Sequence, residues 1–160
     1  MSILIICVLI SRDGFVVPYY SIPSVSAFPT DQQAVVQSVW SLSSSTGSVG
    51  NVISDYAENA FFPQTTQNKL VRLEPATNIV TEWEISSNSS SNAAPTGIAF
   101  DPTTGSVYFT ESGTDIIGRL EPGRGMITKW EVGSKPQALG VTPAASVFYI
   151  DELGRIARLG

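Results

Sequence analysis

Residues 62–85 read FPQTTQNKLVRLEPATNIVTEWEI, and residues 109–132 read FTESGTDIIGRLEPGRGMITKWEV. Laid over each other without a gap, at an offset of 47, eight of the 24 positions are identical. Arg72-Leu73-Glu74-Pro75 falls on Arg119-Leu120-Glu121-Pro122, and Thr81, Trp83 and Glu84 fall on Thr128, Trp130 and Glu131. Apolar positions mostly meet apolar positions. Self-similarity at a fixed period of about 20–50 residues is the mark of solenoids and propellers, in which one small unit is stacked many times.

The match extends outward from this core. Residues 95–102, PTGIAFDP, recur as PQALGVTP at 136–143; VYFTE at 107–111 recurs as VFYID at 147–151, and IGRL at 117–120 as IARL at 156–159. Upstream, Trp40-Ser41-Leu42 precedes Trp83-Glu84-Ile85 by 43 residues, and GFVVPYYSI at 14–22 resembles the end of a unit. One complete unit holds four apolar runs, at 97–100, 106–111, 116–121 and 126–132. They are separated by the turn-forming stretches DPTTG, SGTD and PGRG. Each run is short, alternates with period 2 and is rich in β-branched or aromatic residues, as strands are, and no run of helical periodicity competes. Four strands per unit of about 45 residues is the arithmetic of a propeller blade.

The sequence therefore predicts an all-β chain, a partial β-propeller of about 3 to 3.5 four-stranded antiparallel blades forming an open arc rather than a closed ring. Residues 1–40 are expected to supply N-terminal strands of an incomplete blade, 41–85 and 86–132 one blade each, and 133–160 a further incomplete blade, all within one propeller-like domain. Small residues at Gly97 and Ala99 suit an innermost strand crowded near the axis. Trp40, Trp83 and Trp130 recur in the fourth strand and are expected to wedge between blades. Arg72, Arg119 and Arg158 with Glu74 and Glu121 are expected to form repeated surface or inter-blade ion pairs. The Ser-rich stretches at 41–50 and 86–92 read as connectors, and Asn88-Ser89-Ser90 fits the N-glycosylation acceptor pattern.

Composition narrows the chemistry. With 9 basic and 14 acidic residues the net charge is −5, and no cluster of Lys and Arg exists to bind phosphates, so a nucleic-acid partner is not expected. The chain has no histidine and one cysteine, Cys7, which excludes Ser-His-Asp and Cys-His nucleophile pairs, His metal ligands and an internal disulfide. Cys7 reads as a buried apolar residue. The apolar run at 2–10, SILIICVLI, is far shorter than the roughly 20 residues of a membrane-spanning helix, and it lacks the basic flank of a secretion signal, so a strand and no membrane span are predicted. Few lysines and abundant Ser, Thr and Asn lean toward an extracellular or cell-surface setting over the cytoplasm. Gln64, Glu111 and Asp151 share one position after the second strand of successive units, so they are expected to cluster at one end of the blades as binding residues, or else to be solvated turn residues. Two acids at that end have the chemistry to attract a divalent cation, but neither has a neighbour in sequence that marks it as a base.

PTGIAFDPTTGSVYFTESGTDIIGRLEP at 95–122 and ITKWEV at 127–132 resemble the blade repeat of the streptogramin lyase (virginiamycin B lyase) family, which is itself similar to NHL-type and gluconolactonase-type propellers. The resemblance covers about residues 40 to 160. It implies a seven-bladed fold, a bound Mg²⁺, and an elimination that opens a cyclic depsipeptide at its ester through histidine and glutamate residues. This chain offers no histidine for that role, so no catalytic residue, metal ligand or cofactor is assigned. The expected function is a non-catalytic or degenerate propeller module that binds a peptide, glycan or small ligand or a protein. A metal-dependent lyase acting on a depsipeptide or lactone ester is the alternative. At about 3.5 blades' worth of chain, two arrangements fit: a fragment whose propeller is completed elsewhere, or half a ring closed by self-association into a homodimer.

Overall fold

A computed structural model of the protein describes residues 38–40, 47–85 and 92–160. The strand expected at 2–10 with Cys7, the strand-like 14–22, most of the incomplete blade at 1–40, residues 41–46 of the first connector, and residues 86–91 with the glycosylation pattern lie outside the described residues. Among those described, the chain is all-β, without an α-helix. Eleven strands form three antiparallel sheets in the unit Ser41–Gly160. The first contains β1 (Ile53–Ser54), β2 (Ala60–Gln64), β3 (Lys69–Glu74) and β4 (Ile79–Glu84). The second contains β5 (Pro95–Asp101), β6 (Ser106–Glu111), β7 (Ile116–Glu121) and β8 (Met126–Glu131). The third contains β9 (Pro136–Val141), β10 (Val147–Asp151) and β11 (Ile156–Arg158).

In every sheet, strands adjacent in sequence are neighbours in space, so each is a simple meander. Turn chemistry sets this locally. In the β5–β6 turn the Asp101 carboxylate accepts hydrogen bonds from the Thr103 N–H (2.9 Å) and the Thr104 hydroxyl (2.6 Å). In the β1–β2 turn Asp55 accepts from the N–H groups of Ala57 and Asn59, both at 2.9 Å. These Asx arrangements tie the turn to its own side chain, which is why Asp in a polar stretch reads so well as a strand boundary. The four runs of the second sheet fall where the sequence predicts them. The first is longer, Pro95–Asp101, because a bulge between Pro95 and Ile98 lets the strand pair on past Gly97. The same shift recurs in the third sheet next to Asp151.

The core lies between the sheets. One buried cluster joins Phe61, Leu70 and Ile85 of the first sheet region to Ile98, Val107, Phe109 and Leu120 of the second, with Trp83 packed against it. A second joins Tyr108 and Ile117 to Val147 and Tyr149 of the third, with Trp130 packed against it. Trp83 and Trp130 thus occupy matching places, each wedged between one sheet and the next. Arg72 stands 5.6 Å over the Trp83 ring and Arg119 5.8 Å over that of Trp130, contacts of about 0.5–1 kcal/mol each. The arginine–glutamate pairs are real, but Arg72–Glu74 and Arg119–Glu121 each run along a single strand rather than between blades. Residues two apart share a face of the sheet. Arg158, whose counterpart of Glu121 is Gly160, makes no ion pair among the described residues.

The innermost strands are crowded as expected. A Cβ on Gly97 would lie 2.9 Å from the Thr110 hydroxyl and 3.1 Å from the backbone of Gln137 and Ala138 in the next sheet. The Gly97 N–H instead donates to Thr110 Oγ1 at 2.8 Å, and that hydroxyl donates onward to the Gln137 carbonyl at 3.4 Å. A single threonine therefore satisfies the bulge and bridges two sheets. No helix among the described residues is long and apolar enough to cross a membrane.

Candidate functional site

Gln64, Glu111 and Asp151 close β2, β6 and β10, at the same end of their respective sheets. All three are buried, at 3%, 0% and 5% exposure, so none is a solvated turn residue. Glu111 Oε1 meets the Lys129 ammonium at 2.6 Å, and its Oε2 accepts from the Thr114 hydroxyl at 3.2 Å. Asp151 Oδ1 accepts from the N–H groups of Leu153 (3.0 Å) and Arg155 (2.9 Å), while Oδ2 accepts from Arg155 Nε at 2.7 Å. The Gln64 amide oxygen is buried and accepts no hydrogen bond, and Glu111 Oε1 likewise accepts none, facing Lys129 as an ion pair. Glu111 and Asp151 are each held by partners within their own sheet. Among the described residues no three His, Cys, Asp or Glu side chains stand together as a metal site. Magnesium requires near-octahedral oxygen donors at about 2.1 Å. Here Glu111 is ion-paired with Lys129 and Asp151 with Arg155, each within its own sheet, and no three such side chains gather among the described residues, so this set does not supply the oxygen donors the ion needs.

These bonds set the charge state of the aspartates. Burial pushes the Asp151 carboxyl up, but hydrogen bonds from the Arg155 backbone and guanidinium and from the Leu153 N–H outweigh it and hold the group below the usual carboxylate value. Asp101 behaves alike: burial raises it, and the Thr104 and Thr103 donors lower it further than burial raises it. A carboxylate depressed in the folded state contributes stability above its unfolded value, about 3.9, and loses that contribution as pH falls through the folded value. Asp101→Asn is therefore expected to lower the urea midpoint at pH 7, with the gap to the unsubstituted protein closing toward pH 3. A gap unchanged between the two pH values would contradict this account.

A different feature occupies the opposite end of the sheets. Where β1, β5 and β9 leave the stack, they bound a groove of about 560 Å³. Its walls are apolar: Ile53 from the first sheet, Ile98 and Phe100 from the second, Val141 from the third, closed by Pro102 and Pro143. Tyr56 stands at the lip, 82% exposed, with its ring edge-on to Phe100 at 5.9 Å between centroids and 87° between planes. The carboxylate of Asp55, also at the rim, is occupied by Ala57 and Asn59. The sequence marks the run at 97–100 as an innermost strand but does not single out the groove. Its walls combine equivalent positions of the repeated stretches at 95–102 and 136–143 with residues 53–56, and only the stacking of sheets brings them together.

Two four-stranded meanders and a three-stranded one, packed sheet against sheet, define the chain as a β-propeller protein, here an arc of sheets rather than a closed barrel. No protein-family model and no curated protein matches the sequence. Among solved structures it is similar to a catalytically inactive variant of virginiamycin B lyase from Staphylococcus aureus with quinupristin, with a TM-score of 0.61 and 22% identity over 75% of this chain and 43% of that one. It is likewise similar to a streptogramin B lyase, with a TM-score of 0.55 and 20% identity over 67% of this chain and 38% of that one. Hydrazine synthase of Kuenenia stuttgartiensis gives a TM-score of 0.54 at 13% identity, covering 75% and 38%. The chain thus spans less than half the length of these proteins, and what it shares with them is the fold.

Proposed function

We propose that the chain is a ligand-binding propeller segment that takes a small, largely apolar molecule in the groove bounded by β1, β5 and β9, without transforming it. The observation that carries this reading is the groove itself: an open, apolar recess of about 560 Å³ with an exposed tyrosine at its lip. Concave, mostly apolar sites of about 300–1,000 Å³ with few polar groups are the usual form of small-molecule pockets. Three sheets must be stacked to build it, so binding would depend on the assembled arc rather than on any one blade. At the other end, Gln64 is the uncharged member of the expected binding set, and its buried amide oxygen has an acceptor to spare. We read it as a polar contact there, with Glu111 and Asp151 bracing the turns around it.

The likeness to virginiamycin B lyase favours a second reading, in which a cyclic depsipeptide is opened at its ester. One experiment separates the two. The fluorescence of anilinonaphthalene sulfonate is expected to rise on titration with the protein, and Tyr56→Ala is expected to weaken that binding by about 3–10-fold, the scale of one aromatic contact. Tyr56 is so exposed that its removal leaves the core intact. No rise, or an unaltered affinity in Tyr56→Ala, would reject the groove. Quinupristin incubated with the protein and Mg²⁺ is expected to be recovered intact by mass spectrometry. A ring-opened product would replace the binding reading with the lyase one.

A further inference from the structure

We infer that the ligand of the groove is an organic cation with an apolar body, of the quaternary ammonium class, held by the rings of Tyr56 and Phe100 beside carboxylates that have no counter-ion. This rests on the groove as the binding site and adds the charge of what it takes. The two rings stand 5.9 Å apart between centroids with their planes at 87°, so they form two walls of a corner at the lip. Tyr56 is 82% exposed, which leaves its ring free to meet a ligand. The face of an aromatic ring is the negative part of its quadrupole, and quaternary ammonium groups are recognised where such faces meet. The neighbouring walls, Ile53, Ile98 and Val141 with Pro102 and Pro143, suit methyl groups and a hydrocarbon stem.

Charge decides between a cation and a neutral ligand. Asp55 lines the groove, Glu58 stands exposed on the same turn as Tyr56, and Asp101 lies between the lining residues Phe100 and Pro102. The donors to Asp55 are the N–H groups of Ala57 and Asn59 and the Asn59 side-chain amide, and those to Asp101 are the Thr103 N–H and the Thr104 hydroxyl. All are neutral, so they satisfy the oxygens and leave the charge. None of the three acids has an ion-pair partner among the described residues, and no lysine or arginine lines the groove. The acids at the opposite end differ, Glu111 being paired with Lys129 and Asp151 with Arg155. The turn also fixes Glu58 in place, its N–H donating to the Asp55 carbonyl at 3.2 Å. Negative charge therefore collects at the groove, and the low-dielectric walls of a recess focus that field on what enters it. A quaternary ammonium has no N–H to satisfy, so it needs no oxygen freed from Asp55 or Asp101. A primary amine or a metal ion would need such oxygens.

Titration of the full chain with butyrylcholine and with its uncharged carbon isostere, 3,3-dimethylbutyl butyrate, followed by ligand-observed NMR at low salt, tests this. The cation is expected to bind about tenfold more tightly than the isostere. Tyr56→Leu keeps an apolar side chain but removes the ring, and is expected to cut that ratio to about threefold or less. Glu58→Gln is expected to weaken the cation about twofold, to strengthen anilinonaphthalene sulfonate, an anion, and to leave the neutral ester unchanged. Both positions are exposed, so the strand circular dichroism of either variant is expected to match that of the unsubstituted protein. Equal affinity for the two esters, or a preference for the neutral one, would overturn the proposal and leave the groove as a site for neutral molecules. Binding of neither ester would overturn the groove with it. A ratio unmoved by both variants would overturn the proposal too, because the discrimination would then arise away from Tyr56 and Glu58.

Discussion

Phe109→Ala is expected to lower stability by about 3–5 kcal/mol, read as a shift of the urea midpoint at unchanged slope. Phe109 is fully buried between the first two sheets, within the cluster that contains Leu70, Ile98, Val107 and Leu120. Its ring also lies over Gly118 on the neighbouring strand: a Cβ there would sit 2.1 Å from the ring's Cζ. The glycine is a seat for the phenylalanine. Gly118→Ala in the unsubstituted protein is therefore expected to cost about 1–3 kcal/mol through overpacking. In the Phe109→Ala background the same change is expected to cost nothing or to recover part of the loss, because the methyl then enters the vacated space. Additive losses in the double variant would show that the two residues do not share that space.

The second large effect concerns a buried charge. Glu111 is 0% exposed and its carboxylate meets Lys129 at 2.6 Å on the face that the second sheet presents to the first. Removing one partner strands the other in a low-dielectric interior, whereas removing both at once avoids the desolvation penalty. Lys129→Met alone is expected to cost about 3–5 kcal/mol, and Lys129→Met combined with Glu111→Leu much less than the sum of the two single losses. Chemical denaturation of the four proteins at pH 7 closes the cycle. A Lys129→Met variant as stable as the parent would mean that water reaches Glu111 and solvates it.

The architecture was legible because its signals are local. The Arg-Leu-Glu-Pro recurrence, the period-2 runs and the Asp-Pro-Thr-Thr-Gly turn each specify a strand or its end within a few residues. The places of Trp83 and Trp130 followed from their spacing alone. What sequence could not supply was the third dimension between sheets. Gln64, Glu111 and Asp151 do lie at one end, as their common position implies, but the bulges beside Glu111 and Asp151 and the reach of Lys129 and Arg155 draw the two acids into partnerships within their own sheets. A basic residue 18 positions from Glu111 gives no sign in one dimension that it will neutralise it. Of the two forms expected for the arginine–glutamate pairs, surface or inter-blade, the partly exposed single-strand form is found, because residues two apart on a strand point the same way. The groove escaped notice although two of its walls are copies of one repeated stretch, because the repeat does not show that neighbouring copies leave a recess between them.

Each sheet is a meander closed within about 40 residues of chain, and neighbouring sheets meet mainly through side chains and a few bonds such as that from Thr110 to Gln137. Order in such a molecule is acquired and lost by the sheet, as in a row of dominoes. The middle one, gripped from both sides, is expected to be the last to melt, and the outer two, each gripped from one side among the described residues, to let go before it. Anything seated against an outer sheet, a further sheet included, would act as a bookend, raising the heat resistance of the whole row without touching its interior.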